Sequence, residues 1–441
     1  MIALSIGVTL VFTILSEAAF AEAASKLDKA YTIPAALNPV WKWKDGYSEE
    51  ETLYFRRAYT GEAGLAADDV GSYGARHLSE ILPTATVHRD GPVSVLESAP
   101  MPQIANVVAT TPLGTMTLGE MMKDPRARFK AIAVVHKGKL AFEKYMGIRP
   151  WENHLWVSSS KTIAGLLAHQ VAEEGLLDLS APVPTYLPEL KGTNWDKVPV
   201  KAALHHRSGL DIGEGNVGKQ GHPITYFYAI MTGTSGLAKD ASLMDAVKMA
   251  TKLAEPGEVF EYSSVNTYVV GTIIERITHK PVHDLITERI WRKAGMEGDG
   301  LLALSPSGEA QIQGMFSSRL RDMARYGMLY TSSWNVVSKE RVVSENYLSK
   351  VYAASRPEIF PGNNIGDRMI KVFGNIKMGE SYQWDAVFPD GDLFKSGRLG
   401  QCLYVSPETD TVVVFFSSAY NNTLFVFTYA REIVKQVFRK K

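Results

Sequence analysis

Apolar and polar positions follow two rhythms along this chain, and the change of rhythm divides it. Ala131-Ile132-Ala133-Val134-Val135 is a short apolar run rich in β-branched residues. His136-Lys137-Gly138-Lys139 reads as a turn and Leu140-Ala141-Phe142-Glu143-Lys144-Tyr145 as a second strand, which predicts a hairpin. From Ile163 the spacing becomes three and four. Ile163, Leu166, Leu167, Ala168 and Val171 share one helical face, and Gly175 ends the helix. Pro182, Pro184 and Pro188 then punctuate a loop. Residues 200–295 read as mostly helical with long loops, with helical spacing over 243–253 and 269–277. A helix over 319–329 groups Leu320, Met323 and Ala324, leaving Arg319, Arg321 and Arg325 as a solvated face. Strands return at Leu403-Tyr404-Val405 and over 411–417, on either side of a Ser406-Pro407-Glu408-Thr409-Asp410 turn. Residues 425–440 have the pattern of an amphipathic closing helix.

Strands therefore lie at both ends of residues 131–441 with helices between. The economical arrangement is a mixed α/β fold of the α+β kind: one antiparallel sheet flanked by helices, with an inserted helical lobe over about 158–300. Residues 22–128 carry poor signals and are expected to be an irregular extension that packs in part on the domain of residues 129–441.

Residues 2–15 are apolar and uncharged, and Ala19-Phe20-Ala21 offers the small residues that signal peptidase prefers. Residues 1–21 are read as a secretory signal cleaved after Ala21, although no Lys or Arg precedes the apolar run. The expected address is periplasmic or secreted, without stable membrane association after cleavage. Composition is that of a globular protein: 441 residues, 45% hydrophobic, 21% charged. Lys+Arg and Asp+Glu balance at 47 each, which gives no reason to expect nucleic acid as a partner. The single cysteine, Cys402, excludes an intrachain disulfide and sits in a strand-like apolar run. No Cys/His cluster has zinc spacing, and the adjacent His205-His206 cannot share a helix face, so neither metal nor cofactor is expected.

The candidate chemistry starts at Trp156-Val157-Ser158-Ser159-Ser160-Lys161. On a helix, Ser158 and Lys161 share a face one turn apart. Ser158 would sit in the first turn, where unpaired N–H groups favour developing negative charge. A Ser-x-x-Lys pair arises by chance about once in a chain of this length, and no other lysine here has a serine three residues before it. Two further stretches strengthen it. Glu261-Tyr262-Ser263-Ser264 puts a tyrosine in a loop before a helix, and Lys395-Ser396-Gly397 precedes a strand.

In this order the three motifs resemble the signature of the penicillin-recognising serine hydrolases. The tyrosine form is similar to class C β-lactamases, D-alanyl-D-alanine carboxypeptidases, D-aminopeptidases, family VIII carboxylesterases and nylon-oligomer hydrolases. Leu204-His205-His206-Arg207-Ser208-Gly209-Leu210, Gly175-Leu176-Leu177-Asp178-Leu179 and Gly397-Arg398-Leu399-Gly400-Gln401 add local matches. The resemblance covers residues from 129 to the C-terminus and implies a β-lactamase/transpeptidase-like fold. It implies Ser158 as nucleophile, Lys161 as its base, and Tyr262 as a proton carrier whose pKa is pulled down by Lys161 and Lys395. Lys395 would keep the site positive, and the N–H groups of Ser158 and Arg398 would form the oxyanion hole.

The family usually carries Asn two residues after the tyrosine. Here Ser264 stands there, with Asn266 two further on, which weighs against β-lactams and resembles the nylon-oligomer branch. Ser264, Asn266, Ser396, Gly397 and Arg398 are the candidate substrate contacts. Arg398 would narrow the cleft or bind an anionic substrate, or else is a solvated strand residue. Trp151, Trp156, Tyr382 and Trp384 are candidates to line an apolar acyl pocket, and His154 and His206 are read as structural. The expected function is hydrolysis of an amide, peptide or ester bond in a small substrate or short peptide through a Ser158 acyl-enzyme. The alternatives are a β-lactamase or D,D-peptidase, and a non-hydrolytic penicillin-binding-type sensor. With no Gly-x-Ser-x-Gly elbow, an α/β-hydrolase esterase is disfavoured.

Overall fold

A computed structural model describes residues 37–60, 66–233, 241–419 and 424–439. The expected signal, residues 1–21, lies outside them. The central sheet has seven strands, taken here in chain order as β1 (Phe129–His136), β2 (Lys139–Tyr145), β3 (Gly379–Ser381), β4 (Trp384–Val387), β5 (Leu393–Gly397), β6 (Gln401–Ser406) and β7 (Thr411–Ser417). Their spatial order is β3-β4-β5-β6-β7-β1-β2, antiparallel throughout. Strands far apart in sequence thus meet where β7 lies against β1, with Val413 opposite Val134. The β1–β2 hairpin turns through Lys137 (φ 48°) and Gly138 (φ 75°), the left-handed pair that matches strand twist.

Both faces of this sheet are covered. Ala131, Ala133 and Val135 of β1 pack under the helical side, and Ile132 and Val134 under the other. The helices that matter for the site are α1 (Lys161–Glu173), α2 (Ser264–Thr278), α3 (Leu320–Met328) and α4 (Asn364–Phe373). α1 ends as expected: Gly175 has φ 75°, the left-handed conformation that closes a helix. The segment over 243–253 is shorter than its spacing predicts. Its helix is Leu243–Lys248, and Thr251–Lys252 then pairs with Leu210–Asp211 as a short strand. The closing segment is helical in three registers: a 3₁₀ turn (Leu424–Phe427), an α-turn (Thr428–Ile433) and a π-turn (Val434–Phe438).

The polar face of α3 departs from expectation. Arg325 of α3 is not solvated but 1% exposed. It reaches the Ser94 carbonyl at 2.7 Å and Glu297 at 2.9 Å, because residues 94–96 cross the outside of α3. Sequence spacing reveals a helix's polar face but not what is laid over it.

Residues 37–128 are more ordered than their composition suggested. Ser48 and Glu51 form a capping box that starts the helix Glu49–Ala58. Trp43, Phe55 and Tyr73 make a small aromatic core of their own. Arg76 pins this segment to the main body, with Nη2 at 2.6 and 2.7 Å from the Glu152 carboxylate and Nη1 at 2.9 Å from the Trp43 carbonyl. Thr84–Val87 joins a second sheet, of order Thr84–Val87, Gly300–Ala303, Phe316–Ser318, His154–Leu155.

Candidate active site

The Ser158 backbone is set by a strained turn. Val157 has φ 50°, uncommon for a β-branched residue, and it opens the 3₁₀ turn Val157–Ser160 that runs straight into α1. The three serines of that turn differ in what holds them. Ser159 Oγ donates to the Lys395 carbonyl at 3.3 Å, and Ser160 Oγ to the Val157 and Ile312 carbonyls at 2.8 and 3.1 Å. Ser158, half-buried, keeps its hydroxyl toward Lys161, whose Nζ donates to it at 3.3 Å.

Lys161 is completely buried. Its Nζ also donates to Ser264 Oγ at 3.0 Å and closely to the Gln313 carbonyl. Burial is the main force on it and lowers its pKa to about 7; Glu214 and Asp385 oppose that and Lys395 adds to it. A large fraction of the amine is therefore unprotonated near neutral pH and able to take a proton.

Tyr262 lies between two amines. Lys395 Nζ donates to its hydroxyl at 3.1 Å, and Lys161 and Lys395 stand 5.2 and 4.9 Å from its ring centre. The expected lowering of its pKa does not occur. Burial, then the charges of Asp385 and Glu214, push the phenol well above its ordinary value despite the Ser158 hydroxyl beside it. The group is a phenol and not a phenolate, a proton donor in the resting site.

The carboxylates responsible carry no motif. Asp385 on β4 faces Lys395 on β5. Its Oδ1 accepts from Lys395 Nζ at 2.6 Å, and its Oδ2 from the Ser396 N–H at 2.9 Å and closely from Ser396 Oγ. Lys395 is thus half of a buried ion pair, so it does not leave the site positive as expected, and the Ser396 hydroxyl is already engaged. Asp385 was findable. Pro389-Asp390-Gly391 marks a hairpin turn, and Asp385 and Lys395 stand five residues either side of Asp390. Glu214 has no such signal. Its Oε1 accepts from the Ser264 N–H at 2.9 Å and closely from Ser264 Oγ, and its Oε2 accepts from the Tyr228 hydroxyl at 2.6 Å. Ser264, 2% exposed, is thereby a link between Glu214 and Lys161.

Gly397 has a steric reason. A side-chain carbon there would overlap the Trp156 carbonyl and Gln401, so only glycine lets β5 lie against the Ser158 turn. Arg398 follows with an exposed side chain. Among the described residues neither its N–H nor that of Ser158 has a hydrogen-bond acceptor, which suits two donors aimed at a substrate oxygen.

Two expected contacts are corrected. Trp384 is 0% exposed and packs edge-on against Tyr330 at 5.2 Å, in the core and not on a pocket wall. Asn266 is also fully enclosed on the inner part of α2, and among the described residues its amide has no hydrogen-bond partner. The aromatic acyl pocket fails with them: Trp156 and Tyr382 are buried, and Trp151, 60% exposed, lies under Arg149. His206 is buried against the Tyr262 ring at 4.6 Å, its pKa pushed far down by burial, as fits a structural role. Among the described residues no cluster of three or more His, Cys, Asp or Glu is placed to hold a metal ion.

Comparison with known proteins agrees with this geometry. The β-lactamase family profile matches residues 117–436. The chain belongs to the β-lactamase family. It is 28% identical over 347 residues, covering 77% of this chain and 83% of the other, to a 6-aminohexanoate-dimer hydrolase of Paenarthrobacter ureafaciens. A solved Bacillus anthracis structure, assigned provisionally by its name to the same hydrolases, superposes with TM-score 0.71 at 24% identity, over 86% of this chain and 96% of that one. A class C β-lactamase superposes with TM-score 0.54 at 15% identity, over 74% and 95%. This member of the β-lactamase family is a serine hydrolase with the expected antiparallel sheet and helices.

Proposed function

We propose that the chain hydrolyses amide bonds of small linear substrates through an acyl-enzyme on Ser158. The observation that carries this is the fully buried Lys161 amine, with a pKa of about 7, in contact with Ser158 Oγ. Lys161 takes the hydroxyl proton as Ser158 Oγ bonds to the carbonyl carbon. The N–H groups of Ser158 and Arg398 receive the oxyanion. Collapse breaks the C–N bond, and the Tyr262 phenol gives its proton to the departing amine while Lys161 restores it. Water then attacks the acyl carbon, losing its proton to Lys161, which passes it to Ser158 Oγ as the ester bond breaks, so that the free serine and the neutral amine are regenerated. The 6-aminohexanoate-dimer hydrolase relative and the replacement of the family's asparagine by Ser264 favour a linear amide over a β-lactam.

The test is labelling with a fluorophosphonate read by intact mass, alongside turnover of a linear aminohexanoate amide. One adduct is expected, absent from Ser158→Ala, with amide turnover lower by about 10³-fold or more in that variant. An adduct that survives the substitution refutes the assignment.

A further inference from the structure

Two guanidinium groups stand at the cleft with no carboxylate partner among the described residues, and nothing in the mechanism uses them. Arg398 projects from the turn after Gly397, beside the proposed oxyanion donors, and is exposed. Arg368 arrives from α4, whose first turn is clamped to both loops that build the site. Asn363 Nδ2 donates to the Phe260 carbonyl at 2.8 Å, two residues before Tyr262. The Asn364 side chain packs over Gly215, next to Glu214. Arg368 lies one turn beyond, half-buried, its Nη2 donating only to Asn364 Oδ1 at 3.3 Å.

The charges that act on Arg368 are those of the active site: Asp385, Tyr262, Glu214 and Arg398. Burial and the nearby Arg398 both press its pKa down. The acidic groups in reach are committed elsewhere. Asp385 is held by Lys395 and Ser396, and Glu214 by Ser264 and Tyr228. Among the described residues neither arginine forms an ion pair, whereas the buried Arg76, Arg128, Arg325 and Arg431 each have an acidic partner. Two like charges held at one cleft, one of them half-buried, are stabilised by an anion between them, and the planar fork of a guanidinium matches a carboxylate.

We propose that Arg368 and Arg398 form a carboxylate-binding subsite, so that the preferred substrates are amides or esters bearing a free carboxylate remote from the bond that is cut. The subsite rests on the Ser158 hydrolase reading and adds to it the charge of the substrate. It also gives α4 a function, since this helix supplies no residue to the chemistry.

Two substrate pairs test it, each differing only in the remote charge. The first is 6-(hexanoylamino)hexanoate against its carboxamide, with the carboxylate on the leaving group. The second is mono-4-nitrophenyl adipate against its carboxamide, with the carboxylate on the acyl group. The expected result is a preference of about 10-fold or more in kcat/KM for the charged member of at least one pair, weakening as ionic strength rises. In Arg368→Gln and in Arg398→Gln that ratio falls toward one. A cooperative thermal unfolding transition, followed by circular dichroism, reports whether each variant has folded. Should Arg368→Gln not fold, the exposed Arg398→Gln decides alone. Wild-type indifference to charge, or a ratio unmoved by the variants, overturns the subsite while fluorophosphonate labelling of Ser158 leaves the hydrolase standing. Absence of both labelling and turnover overturns the two together.

Discussion

A buried amine that is half-neutral near pH 7 decides what its neighbours can do. Lys161 is the acceptor because burial disfavours its charge, and Tyr262 is the donor because burial disfavours its own. The active form of Lys161 is the deprotonated one, so kcat/KM should rise with pH through about 7 and reach a plateau above it. Glu214 holds the Lys161 pKa up. Removing that charge in Glu214→Gln should therefore move the acidic limb to lower pH. A pH–rate profile of the variant checks the sign, and a limb that moves upward or stays still refutes the coupling. Of the groups in this network, Ser158 and Lys161 could be read from spacing, and Tyr262 and Lys395 through the family resemblance that the order of the three motifs carries. Glu214 could not, since a single glutamate in the loop Gly213-Glu214-Gly215 has no local feature to separate it from solvated ones.

At the level of elements, the site is a junction between the start of α1, the loop before α2, and the β4–β5 hairpin. Hairpin pairing supplies Asp385 to Lys395 across adjacent strands, both within 1% of full burial. A buried pair of this kind adds little over an apolar pair, but breaking one half leaves a charge without a partner. Asp385→Asn should cost about 3–5 kcal/mol in urea unfolding, far beyond a surface substitution. It should also depress activity by freeing Lys395 from its place beside the Tyr262 hydroxyl. A loss under about 1 kcal/mol would show that the pair is not what holds the hairpin to the site. The hairpin carries a local signal in its Pro389-Asp390-Gly391 turn, although no hairpin is expected there from the apolar pattern. The direction of Trp384 was not legible, because a strand residue's face depends on local irregularity, and the β3–β4 pairing shifts register between Gly379 and Ser381.

At the level of the whole molecule, residues 37–128 are part of the fold and not an appendage. Val87 is fully buried in the same core as α1, and Arg76 ties the segment to Glu152, just upstream of the Ser158 turn. Arg76→Ala should leave Glu152 short of its buried partner and cost about 3 kcal/mol, measured by chemical denaturation. A neutral result would mean the segment is held by its apolar contacts alone. We propose export at this scale as well: cleavage after Ala21 predicts a mature chain beginning at Glu22. N-terminal sequencing of the secreted protein tests it, and a retained Met1 would refute it.

Where the chemistry starts is a local matter, since three-residue spacing places Ser158 and Lys161 on one side of a turn whatever surrounds them. The sequence by itself determined the antiparallel sheet through apolar runs and turn residues, whose preferences are local. The tertiary structure decided the charges. Whether Lys161 is an ammonium or an amine, and Tyr262 a phenolate or a phenol, depends on how completely the fold excludes water from them and on the charges of Glu214 and Asp385 set beside them. Those charges come from separate parts of the chain, and desolvation is a property of the folded space around them.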